Sequence, residues 1–177
     1  EVLISGDAVF THYHKNPEAT AEAIVDGWFH TGDRGEIDGN GCFRIIGRVK
    51  EQFKTSKGKY VAPVPIESLL AKNATIEQVC VLGSGRKQPL AIAVLNEQNQ
   101  EYTDALKQEL EQTLREVNAG LESHQRLDHL VICSDFWTIE NDLLTPTLKI
   151  RRNKLEERYG DYLVREFSSE VIWEASI

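Results

Sequence analysis

Between Glu1 and Gly47 the apolar residues fall in short runs, EVLISGDAVF at the start and CFRIIGR at the end. Runs this short, alternating or continuous, predict strands, with Gly and Asp punctuating the turns. KNPEATAEAI, between the two runs, predicts a short helix. EIDGNGCF predicts a tight hairpin, because Asp38-Gly39 and Asn40-Gly41 tolerate the positive φ such turns need. The segment reads as a piece of a small antiparallel sheet or barrel, too short to close a core by itself. Trp28 and Phe29 are expected to anchor its packing.

The pattern changes near residue 50. EQFKTSKGKYVAP predicts two short strands around a glycine turn. PVPIESLLAKN predicts a helix with Pro65 near its start, where a missing N–H costs little. IEQVCVLGSGRKQPLAIAVLN predicts two buried strands around a Gly-rich turn. In EYTDALKQELEQTLREVNAGL the apolar residues Leu106, Leu110, Leu114, Val117 and Leu121 recur at helical spacing, and Gly120 marks the stop. LDHLVICS predicts another strand, and NKLEERYGDYLVREF a helix broken at Gly160. The order βαββαβα from residue 50 predicts a compact α+β domain, a short β-sheet packed by helices.

Composition narrows the classes. The chain has 177 residues, 41% hydrophobic and 27% charged, enough to bury a core without staples. No apolar run approaches the ~20 residues that span a bilayer. The first residues lack the basic start and apolar centre of a signal peptide, and the chain has no Met. A fragment of a longer protein, cytoplasmic or peripheral to a membrane, is expected. Cys42, Cys80 and Cys133 are scattered and form no CxxC pair, which predicts reduced thiols and neither a disulfide framework nor a zinc site. His12, His14, His30, His124 and His129 have no metal-binding spacing. The net charge of -8 argues against a general nucleic-acid binder.

Against that acidic background, NDLLTPTLKIRRNKLEERYG sets Lys149, Arg151 and Arg152 almost together after the turn Leu144-Thr145-Pro146-Thr147. Two stretches precede it: GWFHTGDRGEIDGNGCFRIIGR at 27–48 and GRVKEQFKTSKGKYVAPVPIE at 47–67. In this order, ahead of LTPTLKIRR, they resemble the C-terminal part of adenylate-forming (AMP-binding) enzymes, and most of all AMP-forming long-chain fatty acid–CoA ligases. The resemblance covers nearly the whole chain. It implies that residues 1–48 are the β-rich end of the large N-terminal domain and residues 49–177 the mobile C-terminal lid. The rest of the N-terminal domain, with its phosphate loop, adenine-binding segment and acyl pocket, is the implied partner.

The resemblance also implies roles for single residues. Asp33, in HTGD, matches a carboxylate that clamps the two ribose hydroxyls, which one carboxylate can do by accepting two hydrogen bonds. A polar turn is its structural alternative. Arg48 matches the arginine at the ribose and phosphate side, and Lys50 the hinge of the lid, a position that is more often Asp. Lys57 and Gly58 belong to a loop that nears coenzyme A when the lid forms the thioester. There the glycine lets the backbone pass close to the pantetheine thiol, and neighbouring lysines, Lys54 and Lys59 among them, attract phosphates. Lys59 stands where Glu or Arg is more usual. Glu67 reads as a structural charge in the first turn of the helix that follows. Lys149 matches the lysine that bridges the acyl carboxylate and the α-phosphate of ATP. Leu148 replaces the glycine that many relatives carry before it. For Arg151 and Arg152, bonding to a nearby helix or sheet stays open as the plain alternative.

The expected function is therefore that of the C-terminal part of an ATP-dependent acid–thiol ligase. The parent enzyme uses ATP, magnesium and coenzyme A on a long-chain fatty acid; the fragment alone is expected to be inactive. Two alternatives stand beside it: an enzyme that adenylates another carboxylic or amino acid, and a non-catalytic interaction module that keeps the lid scaffold.

Overall fold

The computed structural model describes residues 1–96, 102–165 and 167–174. Glu101 and Glu166, inside segments read as helical, lie outside the described residues. The chain divides into two compact units, Glu1–Gln52 and Phe53–Ile177.

The first unit holds β1 (Leu3–Ile4), α1 (Pro17–Ala23), β2 (Ile24–Val25), β3 (Trp28–His30), β4 (Asp33–Ile37) and β5 (Phe43–Arg48), then a 3-10 turn at Val49–Glu51. β1, β3 and β2 form one antiparallel sheet in that order, and β4 pairs with β5 in a hairpin. Helix α1 starts where the sequence predicts. Asn16 Oδ1 accepts from the Ala19 amide at 3.0 Å, and Pro17 takes the first helical position. In the hairpin turn the Asp38 carboxylate accepts from the Asn40 and Cys42 amides, and Gly41 adopts φ +81°. Not one residue of 1–52 is buried. Trp28 is 47% exposed, against the expectation that it anchors a core, while Phe29 packs edge-on against Phe10. Two- to six-residue strands on so short a segment enclose no interior in which a large ring could be buried.

The second unit has a full core. β6 (Phe53–Lys54) and β7 (Tyr60–Val61) make a small hairpin, followed by α2 (Pro63–Leu70), β8 (Ile76–Leu82), β9 (Leu90–Leu95), α3 (Asp104–Ala119), β10 (Leu130–Ile132), α4 (Arg152–Arg158), α5 (Gly160–Val164) and β11 (Val171–Trp173). The main sheet runs β11-β10-β9-β8, with β8 antiparallel to β9 and the other pairs parallel. β11 was not foreseen from the sequence. α4 and α5 meet at Tyr159, one residue before the expected break. α3 opens on Thr103, whose hydroxyl accepts from the Leu106 amide at 3.1 Å. Its buried residues, Leu110, Leu114 and Val117, are members of the helical stripe in the sequence.

Side chains alternate across a strand, and the core follows that rule. Val79, Val81, Ala91, Ala93, Leu130 and Val171 pack on one face with Phe53 and Val61 of the small hairpin and with α2 and α3. Cys80, Leu82, Ile92, Val131, Cys133 and Ile172 pack on the other, with Trp137, Leu143, Leu144, Leu155 and Tyr159. This unit is mixed α and β, as expected.

Candidate functional site

The candidate residues are divided between the two units. In the first, Asp33 and Arg48 are cross-strand partners of the β4–β5 hairpin. Arg48 Nε lies 3.0 Å from Asp33 Oδ1, and Arg48 Nη1 donates to the Thr31 carbonyl at 3.4 Å. Among the described residues no donor reaches Asp33 Oδ2. The turn before Asp33 is held on several sides. Thr31 Oγ1 donates to the Val2 carbonyl at 2.9 Å and accepts from the Asp33 amide at 3.0 Å. Gly32 takes φ +72°, and its amide donates to Glu1 Oε1 at 2.9 Å. The other Glu1 oxygen meets His30 Nδ1 at 2.9 Å; that imidazole contact holds the Glu1 carboxyl below its ordinary range, helped by the Gly32 amide. Lys50 is exposed in the 3-10 turn that follows β5.

In the second unit, two loops share one construction. Thr55, Ser56, Lys57, Gly58 and Lys59 close the small hairpin. The Thr55 amide donates to the Lys59 carbonyl at 2.8 Å and the Gly58 amide to the Thr55 carbonyl at 2.9 Å. The Lys59 amide donates to Thr55 Oγ1 at 3.2 Å, and Gly58 has φ +79°. Thr145, Pro146, Thr147, Leu148 and Lys149 repeat the pattern between the bridged residues Leu144 and Ile150. The Thr145 amide donates to the Lys149 carbonyl at 2.8 Å and the Leu148 amide to the Thr145 carbonyl at 2.8 Å. The Lys149 amide donates to Thr145 Oγ1 at 3.0 Å, and Leu148 has φ +59°. Each is a three-residue hairpin loop, a turn followed by one left-handed residue, with the threonine hydroxyl locking the lysine amide.

The loops hang from opposite faces of the sheet. Phe53 and Val61, flanking the first, belong to one core cluster; Leu143 and Leu144, leading into the second, belong to the other. The first loop is braced by the glycine turn after β8, since the Ser56 amide donates to the Arg86 carbonyl at 2.8 Å and the Gly85 amide to the Lys54 carbonyl at 2.9 Å. The second is braced by ions. Arg151 pairs with Asp142, and Arg152 Nη1 lies 2.8 Å from Glu67 Oε1 and 2.7 Å from the Val81 carbonyl. Glu67 Oε1 also accepts from the Val81 amide at 2.8 Å. β8 is an edge strand, so Glu67 and Arg152 satisfy both backbone groups of Val81 where a further strand would bond. They also link α2, packed on one face, to α4 on the other. Glu67 is the fifth residue of α2 and not in its first turn, so this bond, more than the helix dipole, explains it.

The lysines differ in their surroundings. Lys54 Nζ lies 5.4 Å from the centroid of the Tyr60 ring, a cation–π contact. Lys57, Lys59 and Lys149 are exposed, and among the described residues no carboxylate or carbonyl reaches their ammonium groups. The threonines that hold the loops were missed by sequence reasoning, although the repeated spacing Thr55–Lys59 and Thr145–Lys149 is visible in the sequence.

Known proteins match this chain over most of its length. The family described as AMP-binding enzyme C-terminal domain matches residues 50–169, and the chain belongs to that family. It is 33% identical to long chain acyl-CoA synthetase 1 of Arabidopsis thaliana, over 97% of this chain and 29% of that protein. It is 33% identical to long-chain-fatty-acid–CoA ligase 6 of Homo sapiens, over 95% of this chain and 27% of that one. The chain thus spans less than a third of the curated relatives it matches. Its structure resembles the A domain of carboxylic acid reductase from Segniliparus rugosus, solved in complex with AMP and a co-purified carboxylic acid. The TM-score is 0.76, with 31% identity over 91% of this chain and 27% of that one.

Proposed function

We propose that this chain is the C-terminal part of an AMP-forming long-chain fatty acid–CoA ligase, and that residues 49–177 act as its mobile lid. The observation that carries the reading is Lys149: an exposed cation without a partner among the described residues, held on a rigid turn in a chain of net charge -8. In the first step a fatty-acid carboxylate oxygen bonds the α-phosphorus of ATP, and the bond to the pyrophosphate oxygen breaks. Lys149 would place its ammonium between the carboxylate and the α-phosphate, where negative charge gathers. Asp33 would accept the ribose hydroxyls through Oδ2 while Arg48 holds Oδ1 and orients the carboxylate. In the second step coenzyme A attacks the acyl-adenylate, and the loop at Lys57 and Gly58 lines its approach. Gly58 suits that part, because a Cβ there would meet nothing nearer than Lys54 Cε at 3.7 Å, so the loop surface is open.

The opposite-face arrangement of the two loops supports a lid with two orientations, since one rigid body cannot aim both faces at one point. Lys50, three residues before the second unit begins, is the proposed pivot. The exposed apolar side chains of the first unit, among them Trp28, Ile37, Phe43 and Ile45, are the surface that the remainder of the N-terminal domain would cover. Among the described residues no group of three His, Cys, Asp or Glu could hold a metal ion, so magnesium would enter with the phosphates of ATP.

A second reading, adenylation of another carboxylic acid, draws on the likeness to a carboxylic acid reductase domain. Acid choice would lie in the acyl pocket, outside this chain. Retention of Asp33, Arg48, Gly58 and Lys149 weighs against a non-catalytic module.

The test uses the full-length protein that contains this chain, supplied with ATP, magnesium, coenzyme A and a long-chain fatty acid. Pyrophosphate and acyl-CoA are expected. Lys149→Ala should slow adenylation by about 100-fold or more and leave thioester formation from supplied acyl-AMP intact. A parent inert with every carboxylic acid tried would sink the reading; an equally active variant would remove Lys149 from it.

A further inference from the structure

We infer that Leu148 is a water-excluding residue of the adenylation step: it enters the cleft beside Lys149, is covered there by the remainder of the N-terminal domain, and keeps solvent from the acyl-adenylate. The inference rests on the reading above and deepens it. Its ground is a contrast between two turns with the same hydrogen bonds. Between the threonine and the lysine, one turn has Ser56, Lys57 and Gly58, and the other has Pro146, Thr147 and Leu148. All six are exposed. The first tip is polar. In the second the one polar side chain is engaged within the loop, since Thr147 Oγ1 lies 3.0 Å from Thr145 Oγ1. What the second tip offers a partner is two apolar side chains and the ammonium group of Lys149.

Leu148 combines two unfavourable features. Its φ of +59° crowds the Cβ of an L side chain. Among the described residues the other non-glycine positions with positive φ are Lys15, Asp26 and Asp142, all charged. Leu148 is apolar, and it is 70% exposed. Its place is held by the backbone, through an amide that donates to the Thr145 carbonyl at 2.8 Å. Glycine, which many relatives carry there, would adopt the same backbone without strain, so Lys149 itself does not need the leucine. What the leucine adds is apolar surface, and that is favourable only where something covers it. Entry of Lys149 into the cleft is the event that covers it. Consecutive Cα atoms are about 3.8 Å apart, so Leu148 travels with the lysine to the edge of the reacting groups.

A dry surround matters to this intermediate, which is a mixed anhydride. If water reaches it, the water oxygen bonds the acyl carbon and the bond from that carbon to the AMP phosphate oxygen breaks. The electron pair leaves on that oxygen, and the water protons pass to solvent. Fatty acid and AMP separate, and no acyl-CoA forms. Excluding water prevents this loss and strengthens the attraction between the Lys149 ammonium and the phosphate.

The experiment compares Leu148→Gly, Leu148→Asn and Leu148→Met in the full-length protein, supplied with ATP, magnesium and a long-chain fatty acid but no coenzyme A. Adenylation is read as pyrophosphate–ATP exchange, and entry of water as release of AMP. Glycine and asparagine both suit a left-handed backbone, and neither supplies apolar surface. With either, the ratio of AMP release to exchange should rise about 10-fold. Leu148→Met, apolar and similar in volume, should keep the ratio of the parent. Thermal melts should show no loss of stability in Leu148→Gly or Leu148→Asn. An unchanged ratio in these two variants overturns the inference. So does a fall in exchange without a rise in the ratio, which would make Leu148 a support for the position of Lys149. A ratio raised as much by Leu148→Met, or a lowered melting midpoint in the other two, overturns it as well, by marking a packing role inside the turn. If the parent performs no exchange with any carboxylic acid tried, the functional reading fails first and this inference with it.

Discussion

The loops at Thr55–Lys59 and Thr145–Lys149 have the same hydrogen bonds and different sequences. Where the left-handed residue falls, one has Gly58 and the other Leu148, 70% exposed. A leucine in that conformation costs roughly 1–2 kcal/mol because its Cβ crowds the following carbonyl. The geometry of the second loop is thus imposed by its surroundings: the threonine hydroxyl, the Leu144–Ile150 bridge and the ion pairs of Arg151 and Arg152. The first loop needs less enforcement, and its braces are backbone hydrogen bonds to the glycine turn after β8. One turn can therefore be reached through local preference or against it, provided the packing outweighs the strain.

Breaking the ionic brace should have the largest effect. Glu67→Ala leaves Arg152 and the Val81 amide without their shared partner at the edge of β8. Loss of about 3 kcal/mol in urea unfolding is expected, with Glu67→Gln costing about half because an acceptor for the Val81 amide remains. An unaltered urea midpoint for Glu67→Ala would show that the second loop does not depend on this pair.

The two faces should also answer differently to alkali. Burial, first of all, pushes the Cys80 thiol up strongly and the Cys133 thiol up to about 12, from an ordinary 9.0. Tyr159, beside Cys133, is raised by burial too. All three belong to the core cluster under the Lys149 loop; the other cluster has no thiol. With folded pKa values above unfolded ones, the native state keeps protons that the unfolded chain releases. Stability is full below about pH 9 and falls as pH climbs toward about 12, by roughly 1.4 kcal/mol per thiol per unit. Unfolding at about pH 8 and about pH 10 checks this. Cys80→Ala with Cys133→Ala should flatten the decline, and a steep decline that persists in the double variant would reject the assignment.

A finer comparison replaces each threonine by valine. Thr55 is buried and Thr145 half-buried, so Thr55→Val should cost about 1.5 kcal/mol and Thr145→Val about 0.5. The reverse order in thermal melts would show that burial does not set the cost of losing each hydroxyl. The last comparison exchanges the left-handed residues. Gly58→Ala should cost about 1 kcal/mol from backbone strain alone, as no neighbour is crowded. Leu148→Gly should stabilise by about 0.5 kcal/mol, strain relief being partly offset by the freer unfolded chain. Destabilisation by Leu148→Gly would mean that the leucine is itself part of the brace.

Much of this was written in local patterns. The stripe on α3, the glycine turns and the paired strands at 76–95 depend on periodicity and on neighbours close in sequence, and all formed as read. The strand at Val171–Trp173 was not legible, because three residues carry too little periodicity and its partner, β10, lies far back in the chain. The exposure of Trp28 was not legible either, because a large apolar residue in a strand usually finds an interior, and the first unit by itself encloses none.

For the candidate site the division is similar. The sequence by itself determined which cations and carboxylates are present, and the order of motifs that marks the AMP-binding C-terminal family. Only the tertiary structure decided what each of them contacts. Arg152 is spent on Val81 and Glu67, Arg151 on Asp142 and Lys54 on Tyr60, whereas among the described residues Lys59 and Lys149 stay unpaired on matching turns. Spacing along the chain says nothing about which charges meet across a sheet edge, because those distances are set by how strands and helices pack. The opposed faces, too, arise from the two-residue alternation of a sheet that long-range pairing had first to assemble.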